Sequence, residues 1–202
     1  MTATRTVRAS DASFLGDPSR IQTLADTTDD HVILVDRHDC AIGTMPKLDA
    51  HRCGRRHRAI SVLVRDRGGR LLLQRRAAGK YHSGGLWSNT CCSHPRPGED
   101  TLQAATRRLE EEMGVTASLS HLFSTHYRAH VSERLIEDEI VHVFGGVSEQ
   151  EPSPNAMEVS DWSWKTLEEI KQDVRERPQA YTVWWRKFLD DFETEIAKFA
   201  SR

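Results

Sequence analysis

The stretch DTLQAATRRLEEEMG, residues 100–114, has end signals and internal periodicity that agree on a helix throughout. Asp100 is an N-cap residue, and Gln103 stands three places on as its capping-box partner. Leu102, Ala105, Leu109 and Met113 share one stripe, and Gly114 supplies the terminal glycine. Upstream lie three short apolar runs, residues 31–36 (HVILVD), 60–65 (ISVLVR) and 70–75 (RLLLQR). The turn Asp66-Arg67-Gly68-Gly69 makes the last two a hairpin. A loop rich in Gly and His, residues 77–98, leads to the helix. Downstream, residues 121–130, 135–147 and 161–164 are extended. A helix at 166–176 carries Leu167, Ile170 and Val174. After Pro178 a final helix carries Trp184, Phe188, Phe192, Ile196 and Phe199. Strands, helix, strands and two helices do not alternate regularly. The order predicts an α+β fold, an α/β/α sandwich whose mixed sheet is flanked by helices.

The 202 residues suit one domain. That length buries roughly 70% of the unfolded surface without staples. Residues 1–30 are polar, include the acidic run from Asp26 to Asp30, and are expected to form a flexible extension; Phe14 and Leu15 are its docking candidates. Residues 31–202 are expected to be the folded domain. Lys plus Arg total 28 and Asp plus Glu 30, a formal net charge of -2. That balance argues against a nucleic-acid partner. The longest aliphatic runs are far short of the ~20 residues of a membrane span. With four cysteines and no apolar leader, a reducing cytoplasm is the expected compartment.

The chemistry concentrates in three places. The segment from Gly84 to Pro95 holds Cys91, Cys92 and His94 in a tight loop. Upstream, His51 and His57 are six residues apart, a spacing that suits a chain folding back on itself. Downstream, Glu137 and Glu139 share one strand face by period two. Two carboxylates on one buried face repel unless a cation separates them, so a divalent metal is the economical explanation. Three imidazoles and two carboxylates suit zinc, manganese or iron. A solvated acidic edge strand is the plain alternative. Arg65, Arg67, Arg70, Arg75, Arg76 and Lys80 form a cationic set suited to a phosphate ester, or simply a solvated basic hairpin. Of Glu110, Glu111 and Glu112, at least one is expected to face inward, where it can hold a second hard cation such as Mg²⁺.

Residues 107–115, RRLEEEMGV, resemble a degenerate Nudix box. Arg107 matches the box arginine, and Glu111 and Glu112 match its paired acids. Arg108 stands where a hydrolase would carry a glutamate. Residues 47–61 (KLDAHRCGRRHRAIS), 71–99 (LLLQRRAAGKYHSGGLWSNTCCSHPRPGE), 127–129 (YRA) and 136–144 (IEDEIVHVF) are similar to the type 1 isopentenyl-diphosphate isomerases, which are Nudix-fold metalloenzymes. The likeness covers roughly residues 31–190.

The resemblance implies an enzyme of isoprenoid biosynthesis that converts isopentenyl to dimethylallyl diphosphate through a tertiary carbocation. It implies Cys92, Glu139 and Tyr127 as catalytic residues. It gives His51, His57, His94, Glu137 and Glu139 to one tightly held Mn²⁺, Mg²⁺ or Zn²⁺, and Glu112 to the Mg²⁺ that accompanies the diphosphate. Lys47, Arg75, Lys80 and Arg108 fall to the diphosphate, and Trp184 to the hydrocarbon. The expected partner is a small prenyl diphosphate, with no nucleic acid and no membrane, and the protein a monomer or weak homodimer. Three departures stand out: Arg55-Arg56 replaces apolar residues, Val183 replaces a proline, and the N-terminal extension is added. The alternatives are an isomerase-like enzyme acting on a longer prenyl diphosphate, a Nudix pyrophosphohydrolase, and a non-enzymatic metal-binding module. The hydrolase would need an acid at Arg108.

Overall fold

The computed structural model describes residues 30–201. The expected extension, residues 1–30, lies outside them except for Asp30. The elements run β1 (His31–Val35), β2 (Ala41–Pro46), α1 (Lys47–Cys53), β3 (His57–Arg65), β4 (Leu71–Arg76), β5 (Trp87–Ser88), β6 (Cys91–Ser93) and α2 (Thr101–Met113). Then come β7 (Ser120–Ser132), β8 (Leu135–Val147), β9 (Val159–Lys165), α3 (Leu167–Glu176), α4 (Val183–Asp191) and α5 (Glu193–Ala200).

All nine strands join one mixed sheet built around β3. β8 runs parallel along one edge of β3 for its whole length, from His57↔Glu139 to Arg65↔Val147. β1, β6 and β4 share the other edge, antiparallel. Because β3 is covered on both faces, its sequence is a continuous apolar run rather than an alternating one. Its odd residues Ala59 and Leu63 join Val141 and Val143 against Ile170, Trp184, Phe188 and Ile196 of α3–α5. Its even residues Ile60, Val62 and Val64 pack with Phe144 against Ala105, Leu109 and Met113 of α2. The result is the three-layer sandwich expected from the element order.

Several local expectations change. Leu102 is exposed and Ala104 is buried in its place. Asp100 does cap α2, accepting from the backbone N–H groups of Leu102 and Gln103, and Gly114 ends it at φ 62. The hairpin after β3 is closed only at Arg65↔Leu71, because β4 turns away to pair with β9 and β5. The loop at 77–98 contains two short strands, β5 and β6. The final helix is two helices, broken at Phe192, where φ is -131. The unexpected α1 ends at Gly54, with φ 57. A Cβ there would crowd Ile136 Cγ2 at 3.3 Å, so glycine lets the chain reverse tightly from α1 into β3. That reversal faces His51 toward His57.

Candidate active site

Four side chains from four elements meet on the α3–α5 side of the sheet. His51 comes from α1, His57 from the start of β3, His94 from just beyond β6, and Glu139 from β8. His57 Nε2 and His94 Nε2 lie 3.2 Å apart. Glu139 Oε1 lies 3.1 Å from His94 Nε2, 3.2 Å from His57 Nε2 and 3.8 Å from His51 Nε2. The donor atoms of all four fall within 4.8 Å of one another. His51 and His57 are fully buried.

The outer nitrogens explain this convergence. His51 Nδ1 donates to the Lys47 carbonyl at 2.7 Å, and His57 Nδ1 to the Arg55 carbonyl at 2.8 Å. Each ring therefore turns Nε2 inward, the arrangement that orients histidines on metals. His51 Nε2 is buried without a hydrogen-bond partner. An orphaned buried nitrogen facing three further donors fits a divalent cation. Burial alone depresses all three imidazoles. It prevails at His51 and at His94, which falls to about 3. At His57 the hydrogen bond and charge of Glu139 outweigh burial, and the net shift is upward.

Glu137 keeps different company. Its Oε1 is 3.4 Å from His82 Nε2, and it groups with His51 and His82. Tyr127 joins the two carboxylates, its hydroxyl 2.7 Å from Glu137 Oε2 and 2.8 Å from Glu139 Oε2. Burial and the charge of Glu139 raise Glu137 well above the usual carboxylate range. Burial pushes Glu139 the same way, but hydrogen bonds from His57 and His94 outweigh it and hold Glu139 well below that range.

The β pleat separates the two cysteines. Val62↔Cys91 and Ser61↔Cys92 are adjacent pairs, so the two side chains leave opposite faces. Cys91 is fully buried against α2. Cys92 opens into a cavity of about 300 Å³ that Glu139, Tyr127 and Trp184 also line. Its thiol lies 3.3 Å from Ser61 Oγ and donates to Asn89 Oδ1 at 3.2 Å. Burial pushes that thiol up to about 11. Cys92 and Glu139 thus project from one face of the sheet, on the two strands flanking β3. The cysteine lies on strand β6 rather than on a loop.

Lys47, Lys80, Arg108, Glu112 and Trp184 line the same cavity. Among the three adjacent acids only Glu112 is buried. It accepts from Arg108 Nη2 at 2.6 Å and from Gln74 Nε2 at 3.3 Å. Glu158 pairs with Lys80, and with Arg108 at 3.2 Å. Arg75 is a correction. It is exposed and bonds the Gly85 carbonyl outside the cavity. The register with β9 shifts between Arg75 and Arg76, where Ser160 is bulged out, and Arg76 rather than Arg75 lines the cavity. The Arg76 guanidinium is buried 5.3 Å from the centre of the Trp184 ring. Arg76 was in the cationic set of the sequence, but only the bulge distinguishes it from Arg75. His82, Asn89 and Glu158 were missed. No sequence spacing marks them, because they come from irregular segments: His82 and Glu158 line the cavity, and Asn89 holds the Cys92 thiol from behind it.

This sandwich, with an acid-bearing helix packed on its mixed sheet, is that of a Nudix domain, and the NUDIX domain model matches residues 55–185. A crystallised Deinococcus radiodurans protein shares the fold at TM-score 0.62 and 21% identity, covering 72% of this chain and 89% of that one. Isopentenyl-diphosphate Delta-isomerase 2 of Aromatoleum aromaticum is 54% identical over 80% of this chain and 86% of its own length. The isopentenyl-diphosphate Delta-isomerase of Pectobacterium atrosepticum is 49% identical over 77% and 87%. The chain belongs to the isopentenyl-diphosphate Delta-isomerase family of Nudix-fold enzymes.

Proposed function

We propose that this protein isomerises isopentenyl diphosphate to dimethylallyl diphosphate, and that Cys92 and the Tyr127-linked Glu139 carry the protons. The observation that supports this reading most is that the Cys92 thiol and the Tyr127-linked pair Glu137 and Glu139 line one cavity from the same sheet face, on the strands either side of β3. An unactivated alkene is a weak base, so its protonation needs an acid held against it in a site closed to water. One member of the pair delivers a proton to the terminal alkene carbon, leaving a tertiary cation. The other removes a proton from the carbon between the cationic centre and the oxygen-bearing methylene, and the double bond forms there. The Trp184 ring lies along the cavity, and its indole N–H donates to Ser88 Oγ at 2.9 Å, which fixes its plane. A desolvated aromatic face stabilises a cation by about 2 kcal/mol.

His51, His57, His94 and Glu139, with Glu137 adjacent, would hold one Mn²⁺, Mg²⁺ or Zn²⁺. When bound, that ion neutralises the carboxylate pair and sharpens its acidity. Glu112 would hold the Mg²⁺ that arrives with the diphosphate, and Lys47, Arg76, Lys80 and Arg108 would bind its oxygens. We place the enzyme in the cytoplasm, where its four free cysteines stay reduced, and expect it to act as a monomer or weak homodimer. No helix among the described residues is long and apolar enough to cross a membrane.

Incubation with isopentenyl diphosphate and Mg²⁺ in deuterated water tests the reading. Dimethylallyl diphosphate carrying deuterium in a methyl group is expected. Release of phosphate or diphosphate from nucleotides, without isomerisation, would identify a hydrolase instead. Turnover confined to longer prenyl diphosphates would move the substrate assignment.

A further inference from the structure

We propose that Glu158 sets the affinity of the diphosphate site: its carboxylate competes with the diphosphate of substrate and product for Lys80 and Arg108. This rests on the reading above that Lys80 and Arg108 bind the diphosphate oxygens. Glu158 Oε2 pairs with Lys80 Nζ, and Glu158 Oε1 lies 3.2 Å from Arg108 Nη2. All three residues line the cavity. The same Arg108 nitrogen donates to Glu112 Oε1 at 2.6 Å. Carboxylates of this chain therefore already claim two of the cations that a diphosphate would use.

Glu158 is anchored by its backbone, independently of the cations. Its N–H donates to the Asn155 carbonyl at 2.9 Å, and its carbonyl accepts from the Ala77 N–H at 2.9 Å. Ala77 also begins the turn that carries Lys80, whose N–H donates to the Ala77 carbonyl at 3.2 Å. The attachment point of the carboxylate thus stays beside Lys80 whatever anion the lysine holds. Burial alone would raise the Glu158 pKa, but the hydrogen bond and charge of Lys80, with the charge of Arg108, hold it below the usual carboxylate range. The isomerisation leaves the diphosphate unchanged, so contacts to it act alike on substrate, transition state and product. Such uniform binding lowers KM without raising kcat, and it retains product as firmly as substrate. A carboxylate set among the cations weakens that hold on both and lets product leave.

The test is calorimetric titration of the full-length protein with inorganic diphosphate at one fixed Mg²⁺ concentration. Wild type is compared with Glu158→Gln and Glu158→Ala, and Arg108→Ala serves as the control. Glutamine keeps the shape and an acceptor oxygen, and loses only the charge. The expected result is a Kd about tenfold tighter in Glu158→Gln, because one negative charge beside the ligand is gone. Glu158→Ala should gain less, since it also loses the link between the two cations. Steady-state rates should show KM for isopentenyl diphosphate falling with that Kd while kcat does not rise, a split that damage to the fold does not produce. Thermal melts check that each variant folds, and if Glu158→Gln melts early the Glu158→Ala Kd decides by the same criterion. An unchanged or weaker Kd in a folded variant would overturn the proposal, because Glu158 would then only brace Lys80 and Arg108. Wild-type protein that binds no diphosphate, or a folded Arg108→Ala that binds it as wild type does, would overturn the diphosphate-site reading itself, and Glu158 with it.

Discussion

The phenol oxygen of Tyr127 lies 2.8 Å from Glu139 Oε2 and touches Glu137 as well, so one hydroxyl serves two buried carboxyl groups. A phenol has one proton to give, so one of the carboxyl groups must supply the proton for the second contact. Glu137, raised by burial and by the charge of Glu139, is that group. In the proposed mechanism the chain Glu137–Tyr127–Glu139 would move a proton without opening the cavity to water. Tyr127→Phe removes the middle link. We expect a loss in kcat of about 10²-fold, the lower end of what positioned proton transfer contributes. Stability should fall by about 1–3 kcal/mol, because two buried carboxyl groups lose their hydrogen-bond partner. Steady-state rates with thermal melts check both, and a wild-type kcat would exclude a relay through Tyr127.

Cys92 should be essential and Cys91 dispensable. The adjacent thiols leave opposite faces of β6, and only Cys92 meets the cavity. Cys92→Ala is expected to abolish turnover in a folded protein, whereas Cys91→Ala keeps most of it. The raised thiol also has a pH signature. With a pKa of about 11, Cys92 is protonated at neutral pH, and its reactive thiolate grows as pH rises. In a Cys40→Ser/Cys53→Ser background, alkylation of Cys92 should climb about tenfold per pH unit from roughly pH 7 to 10. A plateau near pH 8 to 9 would mean an ordinary thiol.

Metal removal should lower the melting temperature. Without a cation, three imidazoles and a carboxylate face one another in a buried cluster. A ligand present at about 100 times its Kd adds about 2.7 kcal/mol, which is roughly 5–10 °C for a chain of this size. Melting with and without Mn²⁺ after chelation measures this gain. The gain should vanish in His51→Ala, and a gain unchanged in that variant would move the ion elsewhere.

The residues whose chemistry speaks for itself were legible in the sequence: His51, His57 and His94, and the same-face pair Glu137 and Glu139; that one of the three adjacent acids faces inward was expected, and the family resemblance singled out Glu112. Period two placed the carboxylates, and the capping signals placed α2. What escaped was set by tertiary contacts. α1 is seven residues long and too short to show periodicity. β5 and β6, at two and three residues, exist only because β4 and β3 pair with them. Phe192 continues the apolar stripe of the last helices, so the break there leaves no trace in the pattern. The exchange of Arg75 for Arg76 has the same origin, since a bulge is a property of the paired strand.

That exchange gives a sharp comparison. Arg76→Ala should raise KM for the diphosphate at least tenfold, because a buried cation at the cavity wall is lost. Arg75→Ala should leave kcat/KM within about twofold and stability within about 0.5 kcal/mol, as for an ordinary surface change. The reverse order of effects would show that Arg75, and not Arg76, reaches the substrate.

Trp184 is the last test, and it separates packing from catalysis. The ring is buried in the α3–α5 core, so a purely structural role is the plain reading. It also lines the cavity, with the Arg76 guanidinium close to its ring, which shows that the indole tolerates a cation there. If the ring stabilises the carbocation, Trp184→Phe should keep part of the activity and Trp184→Leu should lose about 2 kcal/mol, roughly thirtyfold in rate. The loss should fall on kcat more than on KM, since the charge exists only during the reaction and not in bound substrate. Both variants lose the indole N–H bond to Ser88, so that bond cannot explain a difference between them. A packing role predicts that Phe and Leu behave alike and that activity follows melting temperature. Measuring kcat, KM and Tm for the pair decides it, and a Leu variant with wild-type kcat would rule out stabilisation of the cation by Trp184.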